Sequence, residues 1–200
     1  MTPGGGSALS PWQHVLGVAP AGLHPRLRDY FSAIPAGSVG RGSGTFARVG
    51  TPRRLLWPVL ALLARDGIVF PVWARDVPFA IENRFDGEVL RARRTFRFAR
   101  GDRVMVDAVV ARDGRIVDRL GRGGTVRAEL AAGVEDGALV LRSVRIAWRG
   151  IPIPFAPRVT LVERWDDASE RQHVALTLDA PLIGRVYEYA GRFDYAVEDE

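Results

Sequence analysis

Apolar and polar positions alternate over most of the chain beyond residue 38, and a period of two predicts strands with one face turned to a core. The clearest case runs from Arg158 to Trp165. Val159, Leu161, Glu163 and Trp165 share one face, and Arg158, Thr160, Val162 and Arg164 take the other. Val77, Phe79, Ile81, Asn83 and Phe85 make a second, nearly all-apolar face. Further strands are predicted at 45–49, 68–73, 104–111, 116–120, 125–131, 138–148, 173–178 and 185–195. A long arginine-rich strand at 89–98 loses its alternation at Arg93-Arg94, which predicts a bulge there. Asp86-Gly87, Asp113-Gly114 and Asp136-Gly137 are two-residue hairpin signals between neighbouring strands. The strands at 68–73 and 77–85 are expected to form a hairpin or bent pair.

Helical spacing is confined to three short stretches. Ser10 is a candidate N-cap before Pro11, with Trp12, Val15 and Leu16 on one face. Leu23, Leu27, Tyr30 and Phe31 predict a second helix, and 55–65 a third, with Pro58 in its first turn. No crossover helix separates consecutive strands, so a parallel sheet with a nucleotide crevice is disfavoured. Many antiparallel strands need curvature or closure to manage their edges. The expectation is an α+β fold: a curved, mostly antiparallel sheet or incomplete barrel of about ten strands, with two or three short helices, mainly N-terminal. Residues 1–10 are glycine-rich and expected to be a disordered tail, and 11–200 a single domain. The run Gly150-Ile-Pro-Ile-Pro-Phe-Ala-Pro157 fixes φ at three prolines and predicts a stiff, extended arm feeding the strand that begins at Arg158.

Composition removes several classes of chemistry. The chain has no cysteine, which excludes disulfides, thiol nucleophiles and cysteine-ligated zinc. Its histidines at 14, 24 and 173 have no metal-ligand spacing, so neither metal nor cofactor is expected; His173 is read as structural. No serine occupies a Gly-x-Ser-x-Gly elbow. All 28 basic residues are arginine, and the net charge is a modest +5 with acids interspersed. The densest basic run, Arg91 to Arg100, reads as a solvated strand face, so nucleic acid is not an expected partner. The first residues lack the basic start and apolar run of a signal peptide, and the longest apolar run is too short to span a bilayer; a cytoplasmic protein without a transmembrane segment is expected. Gly40-Arg-Gly-Ser-Gly44 does not lie between a strand and a helix, so it reads as a flexible turn rather than a dinucleotide fingerprint.

Several segments, in order, resemble a bacterial family called domain of unknown function 4166. They include Leu23-His24-Pro25-Arg26, Gly40-Arg41-Gly42, Arg84-Phe85-Asp86-Gly87, Asp118-Arg119-Leu120-Gly121, Gly150 to Pro154, Glu163, and Tyr189-Ala190-Gly191. Ile81 stands where the family usually has tryptophan, which removes any role of that tryptophan here. The resemblance implies no reaction. Some members look like tails of Rossmann-type dehydrogenases, which implies a helper or binding role beside a neighbouring metabolic enzyme.

The inward polar residues are the candidate site. Asn83 and Glu163 interrupt apolar faces, and Tyr189 shares a face with Tyr187, Gly191 and Phe193. Arg84 is the candidate partner for Glu163, because an unpaired buried carboxylate costs several kcal/mol or takes up a proton. Trp165 completes the ligand-binding set. The sequence supports a non-catalytic binder of a hydrophobic small molecule or lipid, in a cavity covered by the helices at 12–16 and 55–63. The alternatives are a cyclase- or isomerase-like enzyme using Glu163 as acid or base, and a purely structural or partner-binding module. No motif decides whether the protein is an enzyme.

Overall fold

The computed structural model describes residues 9–200. Two helices, α1 (Pro11–Leu16) and α2 (Pro25–Phe31), precede strand β1 (Ser38–Gly50). A 3-10 turn (Arg54–Leu56) leads into α3 (Trp57–Arg65) and the two-residue strand β2 (Trp73–Ala74). Then come β3 (Val77–Asp86), β4 (Val89–Phe98), β5 (Gly101–Arg112), β6 (Arg115–Leu120), β7 (Val126–Glu135) and β8 (Ala138–Trp148). The chain ends with β9 (Ile151–Pro152), β10 (Arg158–Asp166), β11 (Arg171–Ala180) and β12 (Gly184–Asp199). Of the expected tail, residues 1–8 lie outside the described residues. Ser10 is in place: its side chain caps α1 through the Gln13 amide and donates to the Phe31 carbonyl, which ties α1 to α2.

Every strand pairing is antiparallel, and the sheet closes. Around the barrel the order is β10, β11, β12, β1, β3, β4, β5, β6, β7, β8, and Thr160 to Glu163 of β10 then pair with Leu139 to Arg142 of β8. The incomplete barrel expected from the sequence is therefore a closed one of ten strands, with β2 and β9 added at one rim. Closure needs no tight turn. The arm after Trp148 folds back as β9 along β8 and then returns β10 to the same strand, so no turn signal announces the last seam. Closing the sheet removes the long unpaired edges that an open one exposes. At Asp113-Gly114 and Asp136-Gly137 both turn residues have positive φ, the geometry of a tight two-residue hairpin.

Three local expectations are corrected. Gly40 to Gly44 is not a flexible turn but part of β1. A Cβ on Gly40 would sit 1.6 Å from the Tyr195 hydroxyl, and one on Gly44 would sit 1.9 Å from the Arg192 carbonyl oxygen, so this strand is bare on its inner face where β12 packs over it. Residues 68–72 do not form a strand; Ile68, Val69 and Phe70 are buried as a plug between α3 and β2. A short apolar run has the same appearance in either role. No bulge interrupts β4 at Arg93-Arg94: pairing to β3 and β5 is continuous there, and Arg94 points inward with Leu90, Ala92 and Phe96.

Antiparallel alternation gives the barrel two unlike ends. At one, α1, α2 and the segment between them pack Trp12, Leu23, Leu27 and Phe31 against Leu90, Ile116, Leu130 and Leu139. At the other, α3 and the 68–70 plug cover an aromatic cluster of Phe46, Phe79, Phe96, Tyr189 and Phe193. Its rings meet mostly tilted or edge-on, as in Phe46 on Phe96 with centroids 5.3 Å apart, each such pair contributing about 0.5–1.5 kcal/mol beyond burial. The site lies between these two plugs.

Candidate functional site

Ala92 organises one wall of the interior. On three adjacent strands Asn83, Ala92 and Asp107 stand in register, and the small central residue leaves room for its polar neighbours. Arg94, two residues along β4, reaches back to form a salt bridge with Asp107. Asp118 of β6 lies opposite Val109 and so sits diagonal to Asp107. From the facing wall β10 supplies Glu163, which accepts a hydrogen bond from the Gln172 amide of β11. Tyr189 comes from β12, and Tyr30 from α2. Asn83 donates to the Tyr195 hydroxyl at 3.3 Å. The barrel interior thus holds one guanidinium and three carboxyl groups around a cavity of about 130 Å³, whose remaining lining is largely apolar and includes Leu141, Leu161, Leu176 and Leu178. Leu161, Leu176 and Leu178 point inward yet are only half-buried, because their free surface faces this space.

The protonation states follow from burial and neighbours. Burial pushes the Glu163 carboxyl up to about 7, against the opposing pull of Arg94 and the Gln172 hydrogen bond. Asp118 is held well above the usual carboxylate range by burial and then by the negative charge of Asp107, with Arg94 opposing. Burial disfavours the charged form of Arg94, but Asp107 and the tyrosine hydroxyls more than offset it, and its pKa is raised. Tyr189 and Tyr30 are raised chiefly by burial and stay neutral hydrogen-bond donors. Four cavity-lining residues keep a buried polar atom with no partner: the Trp12 Nε1, the Asn83 Oδ1, the Asp118 Oδ1 and the Tyr187 hydroxyl. An unmet buried polar atom costs roughly 1–3 kcal/mol. Four around one cavity mark a place where something else completes the bonding.

Of the residues singled out from the sequence, Asn83, Glu163 and Tyr189 line this cavity. Arg84 does not. It stands on the outer wall, bonded to Glu82 and Glu200, because it is one residue out of phase with Asn83 on the same strand. Glu163 therefore meets an amide where an ion pair was expected, and feels Arg94 only through space. Trp165 is also outside: it lies at the α1–α2 end, half-buried, stacked on His24 with Arg26 over its ring. His173 is half-buried beside Asp166, away from the cavity. Larger grooves of about 510 and 480 Å³ run along the outer wall; Glu82 and Arg93 line both as open surface, and Asp107 is the one buried charged residue that borders the second. Among the described residues no group of three histidine, aspartate or glutamate side chains is placed to hold a metal ion.

A family model described as a domain of unknown function, DUF4166, matches residues 23–193. The chain belongs to that family. A search of curated proteins finds no match. The matched span contains every polar cavity residue named above except Trp12, together with the wall strands up to Phe193. Within this DUF4166 domain, sequence reasoning missed Arg94, Asp107, Asp118 and Gln172. The signal was present for the three charged ones. Ala92-Arg94-Phe96, Met105-Asp107-Val109 and Ile116-Asp118-Leu120 each place a charge in an otherwise apolar inward register, the same pattern that singled out Glu163.

Proposed function

We propose that this domain binds a small, mostly apolar molecule in the barrel interior, with one hydrogen-bonding end held by the cluster around Arg94, Asp107, Asp118 and Glu163. The observation that carries the reading is the set of unpaired atoms on Trp12, Asn83, Asp118 and Tyr187 lining one cavity with a largely apolar remainder. The Trp12 Nε1 donates, the Asn83 Oδ1 accepts, and a protonated Asp118 and the Tyr187 hydroxyl can do either, so the matching ligand end both donates and accepts, as a hydroxyl does. A cavity of about 130 Å³ is near the size that holds a benzene ring, and below the roughly 300–1,000 Å³ of larger ligand sites. A full-length lipid chain needs Leu161, Leu176 and Leu178 to turn aside; a six- to eight-carbon alcohol does not. Calorimetry with cyclohexanol, cyclohexane and cyclohexanecarboxylate tests this. The alcohol is expected to bind saturably and more tightly than either analogue, since the hydrocarbon leaves these polar atoms unmet and the carboxylate meets Asp107. Leu161→Trp, which fills the space, is expected to abolish binding without lowering the melting temperature. Absence of saturable binding across the panel, with a destabilised Leu161→Trp, points instead to a solid interior and a structural module.

A second reading, acid–base catalysis of the isomerase or cyclase kind, is favoured by one observation: Glu163 is poised near neutrality inside the cavity. Arg94 rather than Arg84 then has the position to stabilise developing charge, with Tyr189 as a neutral donor. Ligands recovered unchanged after long incubation support binding, and conversion lost in Glu163→Gln supports catalysis.

A further inference from the structure

The barrel ends differ in a way that the interior site does not explain. Of the thirteen large hydrophobic side chains exposed among the described residues, ten lie at the α3 end. Leu55 on the 3-10 turn and Val59 and Leu62 on α3 are spaced on one helical face, opposite the buried Leu60. Trp148 ends β8, Phe155 sits in the arm that follows, and Leu182 tips the β11–β12 turn. Leu55, Phe155 and Leu182 are 95, 89 and 108% exposed. These side chains are not scattered around the rim. The connections that carry them join β1 to β3, β8 to β10 and β11 to β12, and these strands are consecutive in the closed sheet. The β11–β12 turn meets the 3-10 segment, since a Cβ on Gly184 would lie 3.9 Å from the Arg53 guanidinium.

Charge divides along the same axis. The connections at the α3 end contain seven arginines, among them Arg53, Arg54, Arg122 and Arg149, against Asp66 and Asp76 alone. Those at the other end, from residue 9 onward, contain Arg26 and Arg28 against six carboxylates, including Glu88, Asp113, Asp136 and Asp167, and Glu200 at the chain's last position adds a seventh. None of the seven arginines makes a salt bridge among the described residues, and all are exposed. Two of the apolar tips, Phe155 and Leu182, hold positive φ, a conformation that costs a bulky residue more than glycine or asparagine. A large apolar group kept at a strained turn and pointed into water buries nothing within the barrel.

We propose that the α3 end docks on an anionic lipid surface, with Leu55, Val59, Leu62, Phe155 and Leu182 entering the interfacial layer and the surrounding arginines meeting the headgroup charge. Protruding tips and a helix face ringed by unpaired arginines suit a soft interface that accepts side chains at several points, which is how peripheral membrane elements combine apolar insertion with basic residues. No helix of the described chain is long and apolar enough to cross a membrane, and this mode requires none. Docking is independent of whether the cavity is filled.

Vesicle flotation of the full chain tests it, using vesicles of phosphatidylcholine alone or with a third phosphatidylglycerol. The protein is expected to float with the anionic vesicles only, and to be released as salt shortens the screening length from about 10 Å at 0.1 M toward 3 Å at 1 M. Arg53→Ala, Arg54→Ala and Arg149→Ala together are expected to weaken binding roughly a hundredfold. Leu55→Gln, Phe155→Asn and Leu182→Asn together are expected to abolish flotation with no loss of melting temperature, because asparagine tolerates the left-handed conformation better. Arg26→Ala with Arg28→Ala, at the opposite end, is expected to change nothing. Equal binding to neutral and anionic vesicles, no binding to either, or unaltered binding by the Leu55, Phe155 and Leu182 variant overturns the proposal. Capture of polyglutamate without vesicle binding also overturns it, and assigns the face to an acidic protein.

Discussion

Glu163→Gln is expected to make the protein more stable at alkaline pH, which is the reverse of what loss of a buried ion pair produces. The native carboxyl titrates at about 7 against 4.5 for the ordinary group, so the folded state holds the proton while the unfolded chain releases it. Stability is therefore lost as pH rises from about 4.5 to about 7, and is fully present only below that window. At about 1.4 kcal/mol per pH unit, the loss between pH 5 and pH 8 comes to roughly 2–3 kcal/mol. Glutamine reproduces the neutral acid, and its carbonyl still accepts from Gln172, so the variant lacks this slope. Urea unfolding of both proteins at pH 5, 6, 7 and 8 isolates the effect, because the other titrating groups are common to the two curves. The variant is expected to match the wild type closely at pH 5 and to exceed it by roughly 2–3 kcal/mol at pH 8. A constant difference across the series refutes the reasoning and means that Arg94 fully compensates an ionised Glu163. A variant that is less stable at every pH refutes it more strongly.

Arg94→Met leaves Asp107 buried and unpaired and is expected to cost about 3–5 kcal/mol in urea unfolding, whereas Arg84→Met, on the outer wall, is expected to change stability little; equal effects contradict the assignment of which arginine is inside. Gly44→Ala forces a methyl into the Arg192 carbonyl and is expected to lose about 1–3 kcal/mol or more, while Gly133→Ala, with open space around its Cβ, stays near neutral in the same assay. If Gly44→Ala is tolerated as well as Gly133→Ala, the bare inner face of β1 is not a packing requirement.

Much of the barrel wall was legible because alternation survives wherever one face is buried, as on β3 from Val77 to Phe85 and on β10 from Val159 to Trp165. The Asp-Gly turns at 113 and 136 were equally plain. Closure was not, since it depends on four residue pairs between β8 and β10 that no turn residue marks. The helices at 11–16 and 57–65 were found, but a local pattern does not say that they plug opposite ends of one barrel. The site was legible in part for a related reason. A polar residue in an apolar register has two readings, an inward functional group or a slip in the strand, and local pattern alone does not choose. For Glu163 the inward reading holds; for Arg94, flanked by Arg93, the pattern favours a slip, and the continuous pairing of β4 shows the inward group instead. Only the need of a buried Glu163 for a partner argues for Arg84 inside; its own alternation with Asn83 puts it on the outer wall, where it bonds to Glu82 and Glu200. Gly40 to Gly44 misled because glycine is permissive in turns and equally serves where no side chain fits.

Native mass spectrometry of the purified protein, wild type beside Leu161→Trp, tests the central claim most directly. The account predicts that the wild type retains a small non-covalent ligand, either co-purified or taken up from added cyclohexanol, and that Leu161→Trp carries none while remaining folded. A wild type that stays bare with cyclohexanol in large excess, or an adduct carried equally by Leu161→Trp, contradicts a binding site in the barrel interior.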